Sequence, residues 1–396
     1  MQQVERHIII KDKAIERNCF LAARLYNFCN YHLRMAFFGK MQKIKEYEMT
    51  GLLAEFKQDD YKALPAQSSQ QIVKLLYKNW KSFWKAKKEF EKYPDKFTGK
   101  PKPPKYKDKT GFGICIFTNQ IANLKDGFIH FPKRTGLNPI QTKVEKFAQV
   151  RLIPKATCFV VEIVYEKQEV GNENLKQENF LALDLGLNNF ATSINNVGLP
   201  PFIINGKVLK SVNQMFNKTK AVLMSFVGNR GTSGRIKKFT HYRNNFIEDK
   251  LHKISRFIVD YCVENDIGTI IIGHNKGWKD SINIGKKNNQ KFVCLPHSKL
   301  IDKITYKAML DGIKVVENEE SYTSKIDHLA YEPLKKQENY LGKRVKRGLF
   351  QSSTGKLLNA DVNGSAGIAR KVFGDSVITQ IIGSGLAFNP IKLNII

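Results

Sequence analysis

Leu181-Ala-Leu-Asp184-Leu-Gly186-Leu187 is the stretch on which the fold reading turns. An apolar run ends in one carboxylate, and a glycine follows two residues later. Short apolar runs closed by such punctuation read as buried strands. An acid at the end of one is costly unless it is paired or holds a cation. Two later stretches offer companions: Val315-Val-Glu317-Asn-Glu319-Glu320-Ser-Tyr322-Thr-Ser-Lys325 and Asn359-Ala-Asp361-Val-Asn363-Gly364. Three carboxylates gathered from distant segments would form a site for divalent cations.

Around this stretch the pattern is α/β. Strands are expected at 179–185, 190–194, 202–206, 269–273 and 313–318, with a long basic helical region at about 208–266 between the third and fourth. Hairpin-like strands followed by parallel strands with helices is the ribonuclease-H-type order. In open α/β sheets, ligands gather outside the carboxyl ends of the strands. Asp184 ends the first strand, Glu320 lies just past a later one, and Asp361 opens a helix, where unsatisfied N–H groups favour an acid. Such a set could hold two Mg²⁺ ions about 3.5–4 Å apart for phosphodiester hydrolysis. His252 has no second His or Cys at ligand spacing and reads as a packing histidine.

Upstream, His7-Ile-Ile-Ile-Lys-Asp-Lys13 looks like a strand, and short runs split by Gly, Asn and Pro over 111–167 suggest a small antiparallel barrel or sandwich. Between them, Leu21, Leu25, Phe28 and His32 keep helical spacing, as do Ile72, Leu76, Trp80, Phe83 and Trp84. These aromatics read mainly as core, with Trp80 the candidate for stacking on exposed bases. The expected fold class is therefore α+β multidomain. A small β-barrel (1–13 and 96–170) is interrupted by a helical segment (14–95). A linker (171–178) leads to a ribonuclease-H-like α/β domain (179–396) with a basic loop at about 326–360.

Charge narrows the partner. The 396 residues carry 65 Lys+Arg against 36 Asp+Glu, a formal charge of +29, which calls for a polyanion. Residues 74–109 hold thirteen lysines and four acids, ending in Gly99-Lys-Pro-Lys102-Pro-Pro-Lys105-Tyr-Lys107-Asp-Lys. The prolines favour an extended, solvated path there, and the lysines are suited to phosphate contact. No apolar run is long enough to span a membrane, and the N-terminus lacks the basic and apolar regions of a secretory signal. The six cysteines stand singly, with no CxxC, so reduced thiols in a cytoplasmic setting are expected.

At this point the chain resembles TnpB, the transposon-encoded RNA-guided DNA endonuclease with a RuvC nuclease domain that is related to type V CRISPR effectors. The resemblance runs along nearly the whole chain. It rests on Ser68-Ser-Gln-Gln, Lys100-Pro-Lys-Pro-Pro-Lys-Tyr-Lys107, Phe117-Thr-Asn-Gln120, Leu183-Asp-Leu-Gly-Leu-Asn-Asn189, Gly273-His-Asn-Lys-Gly-Trp-Lys279, Tyr322-Thr-Ser-Lys325 and Asp361-Val-Asn363. It implies a wedge-type β-domain interrupted by a helical recognition segment, then RuvC. It further implies Asp184 as the first catalytic acid and Asp361 as the last, with Mg²⁺ as metal. The partners implied are a guide RNA from the mobile-element end and double-stranded target DNA read beside a short adjacent motif. Guide pairing would supply most of the specificity. A prokaryotic, nucleoid-associated protein is implied, one monomer per RNA or a dimer.

Two positions depart from the family. Where many members carry the middle glutamate, this chain has Gly273. Glu320 resembles the relocated glutamate of a subset, with Glu319 or Glu317 as alternatives. Residues 326–360 lack the two cysteine pairs of a zinc ribbon and carry Lys343-Arg344-Val-Lys346-Arg347 instead. The basic loop is expected to take over substrate contact or lid duties without metal. Lys325, in Tyr-Thr-Ser-Lys beside the expected site, is a candidate for contact with the cleaved strand, and Arg243 and Lys279 are weaker candidates on the same reasoning. A nuclease-inactive, RNA-guided DNA-binding repressor is the alternative function, and a strand-transfer transposase the third. Elemental analysis of the purified protein is expected to find no stoichiometric zinc; one zinc per chain would overturn the reading of 326–360.

Overall fold

A computed structural model describes residues 1–167, 175–228, 231–275, 295–383 and 385–395. The chain divides into two units, Met1–Lys167 and Gln168–Ile396.

In the first unit, strands β1 (Gln2–Ile9), β2 (Cys115–Thr118), β6 (Gln149–Pro154) and β7 (Phe159–Glu166) form an antiparallel sheet in the order β1-β7-β6-β2. A smaller sheet joins β3 (Asn123–Lys125), β4 (Phe128–His130) and β5 (Ile140–Gln141). β1 begins five residues before the strand expected at 7–13. Its polar residues still pair with β7, from Gln2 opposite Glu166 to Ile9 opposite Phe159, so ladder bonds extend it beyond its apolar triplet. It ends where the Asp12 carboxylate accepts from the Ile15 N–H at 2.8 Å, an N-cap that starts helix α1 (Lys13–Phe37).

Helices α2 (Glu46–Glu55), α3 (Asp59–Ala63) and α4 (Ala66–Lys92) follow. The α4 residues Ile72, Val73, Leu76, Trp80 and Phe83 share one core with Cys19, Leu25 and Cys29 of α1 and with Phe117, Val150 and Val161 of the sheet. Trp80 is thereby corrected from base platform to core. It is 5% exposed, and its indole N–H donates to Asn30 Oδ1 at 3.0 Å. The Cys19 and Cys29 thiols are free, and burial pushes both up to about 12, so they are inert packing groups.

The basic segment 100–109 is irregular but not merely solvated. The Pro104 carbonyl accepts from Asn30 Nδ2 at 3.1 Å and Arg34 Nη1 at 2.9 Å. Asn27 exchanges two bonds with the Lys107 backbone, at 3.0 and 2.7 Å. Four side-chain bonds thus pin it along α1, while Lys102, Lys105 and Lys107 stay exposed.

The second unit is built on a sheet of β8 (Phe180–Asp184), β9 (Asn189–Asn195), β10 (Phe202–Asn205), β11 (Thr269–Gly273), β12 (Lys314–Asn318) and β16 (Ile391–Leu393), in the order β12-β11-β8-β9-β10-β16. β8, β11 and β12 are parallel, while β9 runs against β8. Both faces of β8 are buried, which is why its sequence is continuously apolar. Leu181 and Leu183 face a core with Leu251, Ile258, Leu300 and Ile304 from helices α6 (Gly234–Glu264) and α7 (His297–Leu310). Phe180 and Ala182 face Val362, Ala366 and Ala369 of α8 (Ala360–Phe373) and Val377 and Ile378 of α9 (Ser376–Gly383). Helix α5 (Lys207–Val227) accounts for the rest of the expected helical region. No described helix is long and apolar enough to cross a membrane.

Residues 326–360 differ from the expected loop. They contain a three-stranded antiparallel sheet of β13 (Lys343–Lys346), β14 (Leu349–Gln351) and β15 (Leu357–Asn359). Hydrogen bonds to two buried acids organise it. Asp327 Oδ2 accepts from Ser352 Oγ (2.9 Å), Ser353 N (2.7 Å) and Ser353 Oγ (3.0 Å). Glu332 accepts from the Asp327 and Leu341 N–H groups at 2.7 and 2.9 Å. Bonds to a buried carboxylate are charge-assisted and strong. Asp327→Ala would orphan these donors, at a cost of about 3 kcal/mol. A thermal melt is expected to fall by roughly 6–12 °C, and an unchanged melting temperature would show that the network does not hold the sheet.

Candidate functional site

Because β8, β11 and β12 run parallel, their carboxyl ends lie along one edge of the sheet. Asp184 is the last residue of β8, Glu320 lies two residues past Asn318 at the end of β12, and Asp361 sits in the first turn of α8. Helix α8 packs across β8, β9 and β11. The fold therefore delivers all three sequence-predicted acids to one end of the sheet.

The empty side chain at position 273 explains how Glu320 reaches the site. A Cβ built on Gly273 would stand 2.7 Å from both Glu320 Cγ and Oε1, and would also strike Ile368 Cδ1. The Glu320 carboxyl thus fills the space into which a residue at 273 would project. Glycine matters equally at position 364, one turn beyond Asp361. A Cβ there would lie 2.6 Å from Asp184 Oδ2, so only glycine lets that carboxylate rest against α8.

The Glu320 backbone is held on both sides. Its N–H donates to Asn275 Oδ1 at 2.8 Å, and its carbonyl accepts from Thr323 Oγ1 at 2.8 Å. The Thr323 carbonyl in turn bonds His328 Nε2 at 2.8 Å. Burial pushes His328 down to about 4, so at neutral pH its ring is uncharged and donates from Nε2. Asp361 Oδ2 accepts from the Asn189 amide at 2.6 Å. Sequence reasoning gave Asn189 no role, although it closes the Leu183–Asn189 motif. It also missed Lys371, nearly three turns along α8 from Asp361, whose ammonium donates to the Glu319 carbonyl at 2.9 Å.

The electrostatics are those of crowded acids. Burial, then the charges of Glu320 and Asp361, hold Asp184 well above the usual carboxylate range, and the Arg344 guanidinium of β13 opposes them. Burial pushes Glu320 up to about 7, against the pull of Lys371. Glu320 Oε1 is buried with no hydrogen-bond partner, an arrangement that is costly without a cation or a proton. Among the described residues, there is no group of three His, Cys, Asp or Glu side chains that could hold a metal ion. Mg²⁺ does not need one: it takes one or two carboxylates and completes its shell with waters and substrate phosphates. The hard oxygen donors and the orphaned Glu320 oxygen fit that ion.

The proposed nucleic-acid contacts are distributed unevenly. Arg344 lies within electrostatic reach of Asp184. Arg347 is exposed in the β13–β14 turn, and Lys325 is exposed with its ammonium over the Tyr340 ring. Arg243 instead ties α6 to α5, its Nε donating to Asn213 Oδ1 at 2.7 Å and its guanidinium lying over Phe216. It reads as a helix-pairing residue. Lys279 lies outside the described residues.

Two family models match parts of the chain. Residues 162–279, which include Asp184, match the OrfB_IS605 family, described as a probable transposase. Residues 297–368, which include Glu320 and Asp361, match the Cas12f1-like TNB domain. No curated protein sequence matches the chain. Among solved structures, a Cas12f1–sgRNA–target DNA complex aligns at 14% identity over 91% of this chain and 83% of that one, with a TM-score of 0.51. CasPhi-2 (Cas12j) bound to crRNA and phosphorothioate DNA aligns at 10% identity over 96% and 92%, with a TM-score of 0.43. The chain thus has a mixed α+β multidomain fold resembling that of Cas12f1, with a transposase-type segment followed by a Cas12f1-like TNB segment.

The raised carboxyls make a testable linkage. In metal-free protein the folded state holds extra protons between about 4.5, the ordinary value for Glu320, and about 7. Stability therefore falls as pH rises through that window. Glu320→Gln removes the repulsion and is expected to melt higher than the unaltered chain in EDTA at pH 8, on the order of 5 °C. The gain should shrink to nothing at pH 4; an equal gain at both pH values would exclude charge as its source.

Proposed function

We propose that this protein is an RNA-guided DNA endonuclease of the RuvC type, in which Asp184, Glu320 and Asp361 hold Mg²⁺. The observation that carries the reading is the Glu320 carboxyl in the space above Gly273, beside an Asp184 whose charge it opposes. The order of the five central strands, β12-β11-β8-β9-β10, supports a ribonuclease-H-like frame.

Asp184 and Asp361 would flank the metals and Glu320 would complete the set. When bound, Mg²⁺ supplies Lewis-acid stabilisation of the phosphodiester and an acidified water. The chain's own residues set the geometry. Asn189 fixes one oxygen of Asp361 through its amide, leaving the other for a cation. Thr323 and Asn275 clamp the Glu320 backbone, so its carboxyl projects from a fixed base. Arg344 and Arg347, on the hairpin that replaces a zinc ribbon, would meet backbone phosphates of the cleaved strand. The first unit, with Lys102, Lys105 and Lys107 exposed, would share in binding guide RNA and target DNA.

The description of the matched family as a probable transposase raises a second reading, in which the same acids join strands rather than hydrolyse them. The two are separable on a gel. The complex is purified after co-expression with the DNA flanking its own gene, reprogrammed, and incubated in Mg²⁺ with a plasmid target beside randomised sequence. Guide-dependent linearisation is expected, with at least a 100-fold loss in Glu320→Gln and unchanged guided binding, a drop on the order of 3 kcal/mol in barrier stabilisation. Joined products would favour the transposase reading. Guided binding without any cutting by the unaltered chain would make it a repressor, and full activity of Glu320→Gln would remove Glu320 from the site.

A further inference from the structure

The first unit contains a groove that the cleavage chemistry above does not use. It lies between helix α4 and the pinned segment 100–109, with a volume of about 490 Å³, within the roughly 300–1,000 Å³ range of small-molecule sites. Tyr26 and Phe83 form its buried floor, Asn79 and Ser82 line the α4 side, and Tyr106 with Lys102, Lys105 and Lys107 line the other. No acidic side chain lines it.

Three features separate this groove from an ordinary solvated basic face. First, the backbone carrying the lysines is immobilised by Asn27, Asn30 and Arg34, so the ammonium groups start from fixed positions. Second, the aromatic rings are placed by cations: Arg34 lies 5.2 Å from the Tyr106 centroid and Lys107 lies 4.8 Å from that of Tyr26. Tyr106 is nevertheless 44% exposed, a large flat ring held open at the rim. Third, both polar groups on the α4 wall are held in place, the Asn79 amide donating to Tyr26 Oη at 3.2 Å and the Ser82 hydroxyl to the Lys78 carbonyl at 3.0 Å, with the Ser82 oxygen still able to accept. A duplex laid over this surface would offer only phosphates to the lysines and leave the aromatic and amide walls unused. An unpaired nucleotide uses all of them: phosphates to the ammonium groups, a base face to Tyr106, a base edge to Asn79 and Ser82.

We propose that the groove between α4 and residues 100–109 is a site for one unpaired nucleotide, with its base stacked on Tyr106 and its phosphates met by Lys102, Lys105 and Lys107. The proposal deepens the nucleic-acid-binding half of the function above and is independent of cleavage. Binding in EDTA therefore tests it even if the nuclease reading fails.

The test is fluorescence anisotropy of the full chain with three labelled octamers: oligouridylate, oligodeoxythymidylate and an abasic deoxyribose-phosphate chain. The unaltered protein is expected to bind at least one base-bearing octamer about tenfold more tightly than the abasic one, the worth of a single stacked base. Whether uridylate or thymidylate is preferred distinguishes an RNA from a DNA strand as the source. Tyr106→Leu should remove that advantage and leave both abasic binding and the salt dependence unchanged, while Tyr106→Phe retains it. Paired Lys102→Ala and Lys105→Ala changes should weaken all three octamers and flatten the salt dependence. Equal binding of the abasic and base-bearing octamers by the unaltered protein would overturn the proposal, as would a Tyr106→Leu variant that keeps the full preference. Either result would reduce the groove to a patch for phosphates.

Discussion

Like charge buried at the edge of a parallel sheet is the constraint that most of the second unit answers to. Asp184 ends a strand covered on both faces, and Glu320 and Asp361 are brought within reach of it. Asp184 and Glu320 lose solvation there, Asp184 also meets the charges of Glu320 and Asp361, and both carboxyls are pushed up in response. The surrounding structure does not neutralise them fully. Arg344 and Lys371 act from the margins, and one Glu320 oxygen is left without any partner. An arrangement tolerated in the absence of function would be expected to place a cationic side chain at the centre. In the function proposed above, that place is kept for a divalent ion and a phosphodiester.

The apolar framework supports this cost. β8 and β11 are packed between helices on each side, and their registers align Leu183 with Ile272 and Gly273 with Asn318 of β12. A site glutamate can then come from past the end of β12 rather than from β11, because the two ends are neighbours. Gly273 and Gly364 are the complements of that choice. Each removes a Cβ that would occupy the volume of a site carboxylate. The polar clamps on Glu320 and Asp361 supply orientation, and the buried acids Asp327 and Glu332 hold the small sheet of β13, β14 and β15. The carboxylates there accept hydrogen bonds from backbone and serines, and so cross-link chain segments without a metal.

In the first unit the same logic applies to positive charge. A run of lysines and prolines with no regular structure gains definition because its Pro104 and Lys107 carbonyls accept from Asn27, Asn30 and Arg34 and the Lys107 N–H donates to Asn27. The entropy cost of ordering such a segment is met once, on folding, rather than at each binding event.

Much was legible in the chain itself. The 180–184 and 269–273 strands are readable because burial on both faces forces a continuous apolar run, and the Asp184 carboxylate stands out against it. The excess of Lys and Arg calls for a polyanion regardless of fold. Other features lay beyond local pattern. The start of β1 at Gln2 depends on ladder bonds to β7, from Gln2 opposite Glu166 to Ile9 opposite Phe159, partners so distant in sequence that no local periodicity reports them. Trp80 and Trp84 look alike in a helical stripe and both meet Phe37, but it is Trp80 that is buried, with its indole N–H on Asn30 of α1. Residues 326–360 read as a loop because their order comes from side chains meeting across the fold. Above all, Gly273 alone reads as a lost acid. Whether Glu320 takes its place is a question of which strands are neighbours and where a side chain finds room, and that is decided by tertiary packing, since the two residues are adjacent in space and far apart in the chain.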